Sequence, residues 1–423
     1  MRPTQADHDL GPGRVDRCQI TGSANLFEII DLGEQPPCDS LLTGEMLDAP
    51  ESAYPLRLLL CPESGLAQLD YVVDGRVLFF PEYPYRSGIS RPLADYQRAF
   101  ADRVVARFGL AAPQFCVDVG SNDGTLLTGF KRHGLRTLGV EPTNVAAIAR
   151  EENGIDTIQQ FFTEGVARAI AADCGQADLV TMTNVFAHAA QLGEMMRGLG
   201  ALLHPRGVFV TESQYLLDVL EKNQFDGIYH EHLRTYSLKS LVTLFSSYGM
   251  EVFDVERGTR YGGNIRAYVA RRGVHAVRPT VAALLALEEQ AGLFSPRAWQ
   301  AFRARVAANR DRFMELAHRA RAEGKILVGN SCPGRCATLL NYYGIDAQLM
   351  PYIAELPASL KLGKYLPGKH IPIVRNDRLF EEQPDYVVLL AWHYADYMSE
   401  QLRAGGLRST LIVPLPEFRV LDR

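Results

Sequence analysis

Between residues 225 and 237 the chain reads FDGIYHEHLRTYS, which sets Tyr229, His230, Glu231 and His232 side by side. Three uses compete for such a run: a metal site, an acid/base cluster, or a polar turn. The metalloprotease arrangement is excluded. H-E-x-x-H needs its histidines four apart on one helical face, and the residue four after His230 is Arg234. A second stretch with chemistry lies upstream. FCVDVGSNDGTLLTGF joins an apolar strand (115–119) to a glycine turn, Gly120 to Gly124, and then to a helix carrying Leu126, Leu127 and Phe130. Glycines there let the backbone approach a ligand and leave helix N-terminal amides free. The next strand, RTLGVEP, ends in Glu141, where an acid about twenty residues past the turn binds ribose hydroxyls.

The turn also says which nucleoside it suits. A dinucleotide fingerprint, G-x-G-x-x-G, is shaped for a pyrophosphate. Here the run is G-S-N-D-G, and Asp123 would meet that pyrophosphate with like charge. S-adenosylmethionine has no phosphate, and its amino group and sulfonium tolerate a carboxylate. The expected cofactor contacts are therefore Gly120, Asn122, Asp123, Gly124 and Glu141, with Phe161 of QQFF beside the adenine and Asn184 of TMTNVFAH near the methyl. Phe161 and Phe162 serve equally well as core residues.

The elements around these stretches set the fold class. The first 15 residues read as a disordered tail, and 16–80 as a strand-rich module with turns at TGSAN, LGEQPP and CPESG. Over 81–275 strands and helices alternate in the βαβ rhythm of an open parallel sheet. A charged helical connection (276–323) leads to a second α/β pattern over 324–423: KILVGNSC, ATLLNYYG, DYVVLLAW, STLIVPLPE. In the first module Cys18 and Cys61 each have a hydroxyl three residues on, Thr21 and Ser64, where a zinc knuckle has a second thiolate. Cys38 lies between them. No metal is expected.

Composition narrows the class. At 423 residues the chain suggests two or three domains, and 47% hydrophobic with 22% charged residues is ordinary for a globular protein. A net charge of −5 and a pI near 6.1 speak against nucleic-acid binding. No apolar run reaches membrane length, the N-terminus lacks a signal-peptide core, and seven thinly spread cysteines form no disulfide framework. The expectation is a cytoplasmic protein with reduced thiols, for which a monomer is compatible.

Taken together, DLGEQP, YPYRSG, VDVGSNDGTLL, GVEPT, NVFAH, FDGIYHEH, YGGNIR, TLLNYYGI and YLPGKHIPI resemble, in order, the S-adenosylmethionine-dependent C-methyltransferases of nucleotide-linked 4-keto deoxysugars. The resemblance spans nearly the whole chain. It implies a small zinc-ribbon-like N-terminal module, a Rossmann-like class I methyltransferase domain, and a second α/β domain that helps hold the nucleotide. It also implies C-methylation, at C-3, of a dTDP-4-keto-deoxyhexose in antibiotic biosynthesis. Departures stand at Thr21 and Ser64, at SCPGRC (331–336) where the family has GAPAKG, at Tyr261-Gly262-Gly263 for HGG, and at the aspartate absent before KLGKYLPG.

Methyl transfer to carbon needs a base to remove a hydrogen beside the ketone while the enolate oxygen is stabilised. By resemblance His232 is that base, with Tyr229 and Glu231 nearby and His188 completing the pocket, while His230 points elsewhere. If the segment is extended, Glu231 and His232 oppose each other. Tyr83 and Tyr85 form either core or a flap over the sugar. A nucleotide diphosphate needs fixed donors, for which Arg335, Lys364, Lys369 and His370 are candidates, with hydrogen bonds from Asn341 and Arg266. Two other readings compete: an NADPH-dependent ketoreductase of the same sugar, alone or as a second activity, and a non-catalytic scaffold. The small-molecule partner is the nucleotide sugar in either enzymatic reading.

Overall fold

The computed structural model describes residues 8–79, 86–89 and 91–421. Its centre is a seven-stranded sheet in the spatial order Met250–Gly258, Asn264–Arg271, Leu203–Gln214, Ala177–Thr183, Phe115–Val119, Arg136–Val140, Thr157–Ile158. The last five of these run parallel, and Asn264–Arg271 pairs antiparallel with both neighbours. Phe115–Val119 is buried at every residue, as an apolar run between covered faces must be. The carboxyl ends of these strands carry the glycine turn, Glu141 and Asn184 to one edge, where ligands of open α/β sheets bind.

A four-stranded antiparallel sheet precedes it: Phe27–Gln35, Tyr54–Leu60, Ala67–Leu69, and an edge strand, Arg234–Thr235, borrowed from beyond the YHEH run. The N-terminal module is thus stitched to the catalytic segment by backbone bonds. Arg234, buried, continues the stitch by donating to Gln19 and to the carbonyl of Ala189. Of the disordered tail expected over 1–15, residues 1–7 lie outside the described residues, and 8–15 are ordered. His8 is buried, bonded through Nδ1 to Tyr248 (2.7 Å) and through Nε2 to the Ile20 carbonyl (3.0 Å), and Gly13–Arg14 pairs with Tyr71–Val72. A polar run ordered by distant partners leaves no periodicity to read.

The helical connection is two helices, Pro279–Gln290 and Pro296–Ala322, each with proline in its first turn, where a missing N–H costs nothing. A six-stranded sheet follows, parallel but for its last strand, in the order Ile373–Arg375, Ile353–Glu355, Leu327–Asn330, Tyr386–Leu389, Thr410–Val413, Arg419–Leu421. No helix among the described residues is long and apolar enough to cross a membrane.

Candidate active site

One cavity of about 700 Å³ joins the carboxyl edge of the central sheet to the YHEH turn and to the loop opening the C-terminal domain. Gly120, Asn122, Glu141, Phe161 and Asn184 line it at the cofactor end. Gly120 adopts φ 68°, and a Cβ there would collide with Val185, so glycine is required. Asn122 and Asn184 are left-handed too, at φ 52° and 55°, a conformation asparagine tolerates. Glu141 is held on three sides, by the amide of Asn122 (3.0 Å) and by the amide and hydroxyl of Thr143 (3.0 and 2.7 Å).

Asp123 and Gly124 are not where sequence reasoning put them. Asp123 is fully buried and turned away from the cavity. One oxygen accepts from the amide and hydroxyl of Thr125, the other from the amide of Gly88. Gly124, at φ 76°, caps the following helix and packs on Ile155. The aspartate that lines the cavity at this turn is Asp118, two residues before Gly120. Burial pushes it up to about 7, against a hydrogen bond from the Thr181 hydroxyl (2.5 Å). The like-charge argument against a pyrophosphate therefore passes from Asp123 to Asp118 and Glu141. An acid inside an otherwise apolar strand was the signal that could have found it.

At the other end the YHEH run is a turn, not a strand: the amide of His232 donates to the carbonyl of Tyr229 (2.8 Å). Tyr229, Glu231 and His232 consequently share the cavity wall instead of alternating, and His230 turns outward to the carbonyl of Tyr54 (3.2 Å). His232 Nδ1 lies 2.9 Å from the carbonyl of Gly227, which can only accept, so Nδ1 carries the proton. Nε2 is then an acceptor, 2.9 Å from the Tyr229 hydroxyl, which donates to it. Burial lowers His232 to about 4, so the ring is neutral at physiological pH, a proton acceptor in waiting. His188 packs against it with centroids 5.0 Å apart and is likewise lowered by burial. Burial also raises the Tyr229 phenol.

Beyond His232 the wall is charged but internally paired. Lys361 bonds Asp39 (2.8 Å) and the Cys332 carbonyl (3.0 Å). Cys38, Asp39 and Glu231 bring a sulfur and two carboxylates within 4.8 Å of one another, and the cation beside them is this ammonium. Of the candidate diphosphate donors, only Arg335 reaches the cavity, and it is bound to Asp226. Arg266 lies outside, locked between Glu212 and Glu256. Asn341 clamps the carbonyls of Ala337 and Pro367, and His370 pairs with Glu51 at 2.5 Å. Lys364 and Lys369 are also outside the cavity. Arg335, Arg266, Asn341 and His370 were read from charge or hydrogen-bonding capacity, which does not reveal that a neighbour has already claimed them. Tyr83 and Tyr85 lie outside the described residues. Lys361, Arg260 and His393 line the cavity without having been singled out, and no spacing marked them.

Comparison with known proteins decides the family. The chain is 35% identical over 413 residues to the C-methyltransferase NovU of Streptomyces niveus, covering 96% of this chain and 97% of that protein. Three family models match in succession: "Putative zinc binding domain" over 18–79, "Methyltransferase domain" over 93–255 and "C-methyltransferase C-terminal domain" over 259–416. The chain belongs to the S-adenosylmethionine-dependent C-methyltransferases. Solved structures with similarity to it include an S-adenosylmethionine-dependent methyltransferase from Clostridium acetobutylicum (12% identity, 43% of this chain, 92% of that one, TM-score 0.35). Another is the magnesium protoporphyrin IX methyltransferase of Synechocystis with bound SAH (15%, 42% of this chain, 83% of that one, TM-score 0.33).

The residues present fit the cofactor of this C-methyltransferase family. Gly120 leaves open the space a Cβ would fill, and Asp118 and Glu141 line the same end of the cavity with the carboxylates that a cationic amino acid and a ribose call for. Zinc fits poorly. Cys18, Thr21, Cys61 and Ser64 do converge, but as two thiols and two hydroxyls that satisfy each other, Cys18 with Ser64 at 3.1 Å and Cys61 with Thr21 at 3.7 Å. Four-coordinate structural zinc takes thiolates and imidazoles. Cys38 is not a replacement ligand, since its thiol points to Glu231 (3.9 Å).

Proposed function

We propose that this C-methyltransferase acts on a dTDP-4-keto-deoxyhexose, at C-3, in the biosynthesis of an antibiotic's deoxysugar. One observation carries the reading: a buried, neutral imidazole with its acceptor nitrogen fixed opens onto the same cavity as the glycine turn. Carbon methylation beside a ketone needs just such a base. The family resemblance in the YHEH, YGGNIR and YLPGKHIPI stretches supports the choice of a sugar, and the C-methyltransferase relative supports transfer to carbon.

In this reading Asp118 and Glu141 hold the cationic and ribose ends of S-adenosylmethionine, which supplies the electrophilic methyl. His232 Nε2 takes the hydrogen from C-3. For that the Tyr229 hydroxyl releases Nε2 and turns to the C-4 oxygen, where it and His188 stabilise the enolate. Glu231 lies close enough to the same wall to orient the sugar hydroxyls. The largely apolar lining limits the water that can compete for the methyl.

The test is methyl transfer to a panel of dTDP-4-keto sugars, read by mass spectrometry, with deuterium exchange at C-3 followed in heavy water. Methylation with exchange at C-3 is expected. Exchange at C-5 alone, or methylation on oxygen, would overturn the assignment.

A further inference from the structure

Arg335 belongs to the phosphate-side loop by sequence, yet its guanidinium grips protein. Nε and one terminal nitrogen fork onto the two oxygens of Asp226 (2.8 and 2.7 Å), and the other terminal nitrogen donates to the Tyr261 carbonyl (3.0 Å). Trp392 Nε1 donates to the same carboxylate (2.7 Å), with its ring 5.0 Å from the guanidinium carbon. Asp226 is fully buried and Arg335 nearly so. Asp226 does not reach the cavity; the next residue, Gly227, does, and its carbonyl is the one that fixes His232 Nδ1. On the far side of Gly227 the carbonyl of Ile228 accepts from the Thr338 hydroxyl (3.2 Å). Arg335 and Thr338 sit three apart on the helix Arg335–Tyr343, hence on one face. That face brackets Gly227 from both sides.

We infer that Arg335 is a positioning residue: with Asp226, Trp392 and Thr338 it clamps the Gly227 carbonyl, and through it the Nδ1–H tautomer and aim of His232. The C-terminal domain then contributes to the chemistry of the base and not only to nucleotide binding. A fork is needed for this, because a lysine in its place keeps the charge but cannot hold both carboxylate oxygens in one plane. The inference rests on His232 being the proton acceptor proposed above.

The experiment uses the full chain labelled with [15N]histidine. The His232 signals, assigned by their loss in His232→Gln, should show a proton on Nδ1 in the unmodified protein. In Arg335→Lys, Asp226→Asn and Thr338→Val the Nδ1–H correlation should shift or broaden as the tautomers mix. The rate constant kcat should fall by roughly 100-fold in the first two, the scale of a misplaced catalytic group, with KM for the sugar little changed. Should Arg335→Lys or Asp226→Asn fail to fold, Thr338→Val and Trp392→Phe, which each remove one bond, carry the same comparison. Unaltered His232 signals in the folded variants overturn the inference, as does a raised KM at unchanged kcat, which would make Arg335 a phosphate ligand. Because the nitrogen spectrum needs no substrate, it decides the clamp even if no sugar in the panel is methylated.

Discussion

At the scale of single residues, burial matters more than identity. His232 is a useful base because burial lowers it to about 4, leaving the ring neutral, and because the Gly227 carbonyl commits the proton to the other nitrogen. His232→Asn should lower turnover by about 100-fold or more, the usual worth of a positioned base, while titration calorimetry finds S-adenosylmethionine affinity unchanged. Wild-type turnover in that variant would place the base elsewhere. Asp118 offers the second prediction. Burial raises it to about 7, so below that pH it is a neutral acid, and binding a cationic cofactor must expel its proton. Affinity should therefore weaken as pH falls from 7 to 5, by at most about tenfold per unit. Asp118→Asn should flatten the slope and weaken binding at pH 8. A slope that survives the substitution rejects the assignment.

At the scale of elements, what was legible is what the chain signals locally. The strand Phe115–Val119, its glycine turn and the helix after it follow from an apolar run, glycines and a renewed period, and all three are there. The two half-knuckles were legible as well, and they do meet in space. Direction was not. Sequence spacing put Asp123 toward the cofactor, whereas the Gly88 and Thr125 amides, one of them from a distant segment, turn it inward. Extended alternation for Tyr229 to His232 failed because a turn bond, His232 to Tyr229, folds them onto one wall. Arg266, Asn341 and His370 failed for a third reason: their partners, Glu212, Pro367 and Glu51, are brought by other parts of the chain. The knuckle module carries its own prediction. Bonding between Cys18 and Cys61 lowers the Cys61 thiol and raises that of Cys18, so the pair gives up one proton more readily than two, and the hydroxyl positions supply no further thiolate. The purified protein should hold no stoichiometric zinc by elemental analysis. Thr21→Cys with Ser64→Cys completes a four-sulfur set, and that variant should take up about one equivalent.

At the scale of the molecule, the site is where the N-terminal module, the central domain and the C-terminal domain meet, and histidines mark the seams. His230 reaches the Tyr54 strand of the N-terminal sheet, His232 faces the cavity of the central domain, and His393 lies beside it on the C-terminal domain. Burial lowers His230 and His232 to about 4 and His393 to about 3. The sign follows from linkage. Between pH 6.5 and 4 the unfolded chain takes up protons on these rings and the folded chain does not, so their contribution is whole above 6.5 and is lost as pH falls through that window. Asp118 and Glu288, both raised by burial, act in the opposite sense, Asp118 across the whole of that range, but the lowered rings, His188 among them, outnumber them. His230 isolates the effect, since it is 1% exposed, bonds to backbone at Tyr54 and Pro55 and lies off the cavity. The slope of unfolding free energy against pH, from guanidinium titrations between pH 4.5 and 6, should drop in His230→Gln by about 1.4 kcal/mol per pH unit, the equivalent of one proton. Turnover at neutral pH should be retained, because glutamine keeps a donor to Tyr54. An unchanged slope would mean that the ring titrates alike in both states, and that the seam between the N-terminal sheet and the catalytic turn is open to water.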